Sequence, residues 1–165
     1  MAGPRVTVQE NDFDLTAEIA ALRASDSGVG AVASFVGLVR DRNDGAGVQG
    51  MELEHYPGMT ERTIEAMIDE AAARFQVRAA RVVHRVGRLL PGDQIVMVAV
   101  ASAHRGEAFA ACEFLMDYLK TRAPFWKKEQ TSQGPRWVDA RTSDDAAVAR
   151  WELPRAIPSS GAGLE

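Results

Sequence analysis

Apolar and polar positions alternate in RVTVQE (5–10), a period of two that predicts a strand. The period then lengthens. Leu15, Ile19 and Leu22 recur at helical spacing behind Asp14, whose carboxylate suits an N-cap. VGAVASFVGLVR (29–40), rich in valine and small residues, predicts a buried strand, and DRNDGAG (41–47), polar and glycine-rich, predicts a mobile loop. Alternation returns in VQGMELEHY (48–56), a further strand, before Pro57 opens a helix striped by Ile64, Ile68, Ala71, Ala72 and Phe75. RAARVVHRVGRLL (78–90) and QIVMVAVASA (94–103) flank PGD and predict two strands joined tightly. The longest helical pattern is HRGEAFAACEFLMDYLKTRA (104–123), with Phe109, Cys112, Met116 and Leu119 on one face and Pro124 as its stop. FWKKEQ and RWVDAR predict a hairpin around TSQGP, and SDDAAVARW (143–151) a last helix capped by Ser143.

Mixed strands and helices with hairpin-type connections imply an α+β fold with a largely antiparallel sheet. At 165 residues, 46% hydrophobic and 25% charged, the chain suits one domain with a substantial core. That domain is expected over 1–151, followed by a tail, 152–165, whose Pro, Gly and Ser content predicts disorder. No apolar run approaches the roughly 20 residues that span a bilayer, and the N-terminus lacks a secretory pattern. A single cysteine, Cys112, excludes an internal disulfide and fits a reducing cytoplasm.

Charge changes the picture at one place. The formal net charge is −4, yet LKTRAPFWKKE (119–129) gathers Lys120, Arg122, Lys127 and Lys128 around Pro124, Phe125 and Trp126, with Glu129 the one counter-charge. An acidic chain is a poor general nucleic-acid coat, so any anion site must be local. Arg40 closes a strand, His104 and Arg105 open the long helix where free N–H groups favour an anion, and Lys120 lies near its far end. A cleft lined by Arg40, His104, Arg105, Lys120 and Lys127 would take a phosphate- or carboxylate-bearing molecule. A lysine crowded by other cations and partly desolvated by Phe125 and Trp126 is expected to have a lowered pKa and to be available as a general base or nucleophile near neutral pH. The charge pattern fits equally well a Lys120 that caps its helix, with the other lysines solvated. His84, inside a hydrophobic strand, reads as structural, and Cys112, on an apolar stripe, as a small buried hydrophobe. There is no metal-ligand spacing, no GxGxxG and no phosphate-binding glycine loop.

LEHYPGMTE (53–61), SAHRGEAF (102–109), MDYLKTRAPFWKKE (116–129) and RWVDAR (136–141) together resemble the large, catalytic subunit of molybdopterin synthase, over most of residues 5 to 151. The resemblance implies an α/β hammerhead fold and a sulfur transfer. The family's substrate is a cyclic pyranopterin monophosphate. The sulfur arrives as a thiocarboxylate on the C-terminal Gly-Gly of a small ubiquitin-like subunit, and the large subunit forms a homodimer with a partner at each end. On this resemblance Lys120 and Lys127 match the catalytic lysines; Arg40, His104 and Arg105 match the substrate pocket; Arg141 matches an arginine of that pocket, in its own subunit or the neighbour's. No cofactor or metal is implied for the step. Rival readings are a binding module that stacks single-stranded bases on PFWKK, and an unrelated transferase acting on another phosphorylated molecule.

Overall fold

The computed structural model describes residues 3–24, 26–43, 46–138 and 142–152. In chain order the elements are β1 (Val6–Gln9), α1 (Leu15–Arg23), β2 (Ala31–Leu38), β3 (Arg42–Asn43), β4 (Ala46–His55), α2 (Met59–Arg74), β5 (Ala79–Arg85), β6 (Gly87–Leu89), β7 (Gln94–Ser102), α3 (Arg105–Arg122), β8 (Phe125–Thr131), β9 (Gly134–Val138) and α4 (Thr142–Ala149).

Two sheets form. The first has the order β1-β5-β7-β2, antiparallel except for the β1–β5 pair. Its central strand β7 explains the continuous apolar run of the sequence, because both faces are covered. Val96, Val98 and Val100 pack with Ile64, Ile68, Phe114 and Leu115 of α2 and α3, while Met97, Ala99 and Ala101 pack with Phe13, Leu15, Ile19 and Leu22 on the α1 side. Asp14 caps α1 as the pattern predicts, its carboxylate accepting from the Ala17 N–H at 3.2 Å. On α2 the stripe of Ile64, Ile68 and Ala71 is buried, as is Phe75 at its end, but Ala72 is exposed and Met67 takes the inward position. The helix begins at Met59, with the Glu61 carboxylate accepting from the Gly58 N–H at 2.6 Å.

The second sheet runs β3-β4-β8-β9, with β6 on the other edge of β4. Its smaller core is Val39, Met51, Leu53 and Leu89, joined to the first sheet through Ile95. Two expectations are corrected here. The stretch 78–90 is not one strand: it breaks at Gly87, whose φ of +82° is a left-handed conformation, so β5 stays in the first sheet and β6 crosses to the second. Around DRNDGAG, the predicted loop, Arg42 and Asn43 pair with Gly47 and Ala46 as a short ladder.

This framework gives the molecule two poles. β7 ends at Ser102, and α3 starts at Arg105 and returns along the sheet, so its last turn lies back beside the start of β7. At the Ser102 pole β2 begins against β7 (Ala31 opposite Ser102), and Gly30 approaches so closely that a Cβ there would meet the Ala103 carbonyl oxygen at 2.2 Å. At the Gln94 pole β2 ends, with the Val39 N–H donating to the Asp93 carbonyl at 3.0 Å. Among the described residues no helix is long and apolar enough to cross a membrane. The last helix begins at Thr142, so Ser143 is its second residue and not its cap, while Arg141 and the tail from 153 onward lie outside what the structure describes.

Candidate functional site

The cations of 119–129 divide into two pairs. Arg122 lies over the Tyr118 ring at 4.2 Å and reaches Glu70 at 4.0 Å, and Lys128 lies over the Trp137 ring at 5.6 Å on the outer face of the second sheet. Lys120 and Lys127 point elsewhere. Pro124 ends the helical run, and β8 starts one residue later, so its side chains alternate. Phe125, Lys127 and Glu129 share the inner face; Trp126 and Lys128 share the outer.

Phe125 fixes where that inner face lies. Its ring stacks on His84 of β5, centroids 3.7 Å apart and planes 15° apart, and His55, its ladder partner on β4, stacks on it at 6.4 Å. His84 sits opposite Val96, at the Gln94 pole where α3 ends. The His84 Nδ1 lies 2.8 Å from the Arg85 carbonyl oxygen, which can only accept, so Nδ1 carries the proton. Burial pushes the imidazole pKa down to about 4; the carbonyl bond opposes this, and the charges of Lys120 and then His55 add to it. His84 is therefore neutral near pH 7. Lys127 is held from the other side: its Nζ is 3.3 Å from Oε1 of Glu129, which is 1% exposed.

Sequence reasoning placed Lys120 and Lys127 in one pocket; Lys120 lies in the last turn of α3, and Lys127 lies on β8 two residues beyond Phe125, whose ring stacks on His84. Arg40, two residues beyond β2, belongs to the Gln94 pole. His104 and Arg105 do not. They open α3 at the opposite pole, and the step of 15 positions from Arg105 to Lys120 amounts to about 22 Å of helix rise. One chain by itself does not form the single five-residue cleft. His84 and Glu129 were the members missed or read otherwise. Glu129 carried a signal: it is the one acid in the basic stretch, two residues from Lys127 and hence on the same strand face.

Other chemistry is poorly supported. Burial pushes the Cys112 thiol up to about 11, and its Sγ faces the Val98 carbonyl at 3.8 Å, so it behaves as the small hydrophobe its position predicts. Phe125 of PFWKK is committed to His84, while Trp126 on the outer face is 48% exposed. A groove of about 370 Å³ lined by Gln49, Gly50, Met51, Glu52, Arg88 and Gln130 contains none of the predicted site residues. Among the described residues no cluster of three or more His, Cys, Asp or Glu could hold a metal ion.

Residues 8–122 match the family model described as MoaE protein. The chain belongs to the MoaE family. Within it, the chain is 68% identical over 150 residues to a molybdopterin synthase catalytic subunit of Ralstonia nicotianae, covering 91% of this chain and 85% of the relative. A MoaE protein of Burkholderia ambifaria has a matching solved structure, at TM-score 0.79 and 59% identity, covering 92% of this chain and all of that one. The crystal structure of a Staphylococcus aureus molybdopterin synthase matches at TM-score 0.73 and 28% identity, over 80% of this chain and 95% of that one. The α+β reading with mainly antiparallel sheets thus agrees with solved MoaE structures.

Proposed function

We propose that this MoaE-family chain is the catalytic subunit of a molybdopterin synthase, moving sulfur from the C-terminal thiocarboxylate of a small ubiquitin-like subunit to cyclic pyranopterin monophosphate. The observation that carries the reading is the lysine pair: Lys120 and Lys127 arrive at one pole from a helix end and the following strand, beside a neutral imidazole and with no usable thiol. Sulfur transfer from a thiocarboxylate forms a carbon–sulfur bond to the substrate as a carbon–oxygen bond at that carbon breaks and the displaced oxygen takes up a proton, and water then cleaves the acyl carbon–sulfur bond to leave a carboxylate on the partner. Protons must be placed and removed along this path, and two lysines can do so. A nucleophilic cysteine is unnecessary, because the sulfur comes with the partner.

The phosphate of the substrate accounts for the arginines. Arg40 belongs to the lysine pole, and His104 and Arg105 present a helix N-terminus suited to an anion. Their separation favours a homodimer in which one copy supplies the lysines and the other the helix start, with Arg141 assigned to the same pocket. β2 supports such pairing. It is an edge strand, AVASFVGL, without charge or proline, and Phe35 and Leu38 are 41% and 53% exposed. With a small subunit at each end, the assembly would be a heterotetramer, working in a reducing cytoplasm.

A Gly-Gly terminus is the natural guest for a narrow approach to the lysines, because it has no side chains to exclude. Titration calorimetry with the small subunit, intact and lacking its last two glycines, tests this. Truncation is expected to weaken binding clearly, and Lys120→Ala on this chain to remove part of the same difference. Equal affinity of the intact and truncated partners would rule out tail docking at this pole.

A further inference from the structure

We propose that His55 is a further substrate-binding residue beside Lys127, its Nε2–H donating to an oxygen on the edge of the flat pterin. This role rests on reading the inner face around Lys127 as the substrate site.

Strand register puts His55 there. On the β4–β8 ladder His55 lies opposite Phe125 and Leu53 opposite Lys127, so His55, Phe125 and Lys127 share the inner face. Diagonal neighbours on such a ladder stand about 7–8 Å apart, which lets one small ligand touch both His55 and Lys127. The rings of His84, Phe125 and His55 follow one another at 3.7 and 6.4 Å. His84 is buried, whereas Phe125 and His55 are half-buried, so the row is closed at its His84 end and open at the other. The chain just beyond His55 is tied down. The fully buried Thr60 donates its hydroxyl to the Tyr56 carbonyl at 2.9 Å and accepts from the Tyr56 N–H at 3.2 Å. The Glu61 carboxylate holds the N–H of Gly58, whose φ is +82°, at 2.6 Å. A strand end fixed in this way keeps its last side chain on one bearing.

The imidazole has a hydrogen bond to give. Its Nδ1 is shut off from solvent, and among the described residues it is the one such side-chain nitrogen or oxygen without a hydrogen-bond partner. A proton on Nδ1 would be stranded, so the neutral ring carries its proton on Nε2, and an imidazolium carries one there in any case. This is the reverse of His84, whose Nδ1 proton goes to the Arg85 carbonyl. Nε2 is not shut off in the same way, and no described residue accepts from it. Strand alternation turns the nearby carboxylates of Glu52 and Glu54 to the outer face. An in-plane N–H at the rim of an aromatic wall suits the edge of a flat heterocycle, where a ring carbonyl lies in the plane, and it fixes how that heterocycle is turned.

The test is calorimetric titration of the full-length chain with cyclic pyranopterin monophosphate, and separately with the small subunit. His55→Leu keeps a side chain of similar bulk and removes both nitrogens; His55→Gln keeps an N–H donor close to the position of Nε2. The dissociation constant for the pterin is expected to rise roughly two- to ten-fold in His55→Leu, the worth of one hydrogen bond, and His55→Gln to recover most of the loss. Because the shut-in Nδ1 costs stability, His55→Leu should also melt no lower than the parent. A lower melting point with unchanged pterin affinity would make His55 a packing residue and overturn the proposal. So would a loss confined to the small subunit, which would put His55 on the path of the tail. In the unaltered protein a nitrogen spectrum should show the neutral His55 ring protonated on Nε2, with His55→Gln identifying the signal, and that signal should move when the pterin is added. A proton on Nδ1, or an unmoved signal, contradicts the role. None of these readouts needs turnover. A chain that binds the pterin through His55 yet transfers no sulfur upholds the residue and refutes the function. Sulfur transfer with full pterin affinity in both variants refutes the residue alone, and a parent that does not bind the pterin refutes both.

Discussion

Replacing Glu129 by glutamine removes the charge that faces Lys127 at 3.3 Å while keeping the size of the side chain. Glu129 is buried and Lys127 is about a third exposed, so the loss falls on the placement of the lysine more than on burial of an unpaired cation. Glu129→Gln should cost about 1–3 kcal/mol of stability, measured by denaturant unfolding, and slow sulfur transfer with little change in partner affinity. Unchanged turnover would show that Lys127 does not need this partner. His84 gives a separate signature. Its pKa of about 4 lies below the ordinary 6.5, so unfolding takes up a proton in that range. The neutral ring's contribution is complete above about pH 6.5 and is lost as pH falls toward 4, at most about 3 kcal/mol in all. His84→Phe should flatten the dependence of Tm on pH in this window, and an identical slope in both proteins would contradict the burial argument. The sequence revealed His84 as a buried strand residue but not its neighbours, because Phe125 lies 41 positions away and only the fold stacks the two rings.

At the scale of elements, α3 both builds the site and divides it. Its apolar face was readable from Cys112, Met116 and Leu119, all buried, but Phe109 on the same predicted face is 66% exposed. It stands near the start of the helix. Periodicity identifies a face but not where the covering sheet stops. For the same reason the sequence could assign Lys120 and Arg105 to one anion site without showing that 15 residues of rigid helix part them. The proposed pairing of two copies would bring them to one site, and it can be tested by mixing. Lys120→Ala and Arg105→Ala should each be nearly inactive alone. Refolded together in equal amounts, they should recover about a quarter of the parental rate, because half the dimers are mixed and each mixed dimer has one intact site. A mixture no more active than its components would place both residues in the same chain's pocket.

Across the whole molecule, two sheets joined by a strand that breaks at Gly87 bring His84, on the first sheet, against Phe125, on the second. The strands and helices were legible because their periods are local. The break was not, since it depends on one glycine's backbone, nor were the poles, which arise from the return of α3 along β7. The Pro124 stop was legible, and it is what lets one short stretch place two lysines from two elements. Whether this arrangement transfers sulfur can be measured directly. The chain should be mixed with the thiocarboxylated small subunit and cyclic pyranopterin monophosphate, and molybdopterin measured over time, beside Lys120→Ala and Lys127→Ala. The parent is expected to form molybdopterin, and each folded variant to be slower by on the order of 100- to 10,000-fold. No product from the parent, or both variants within a factor of about two of it, would contradict the account.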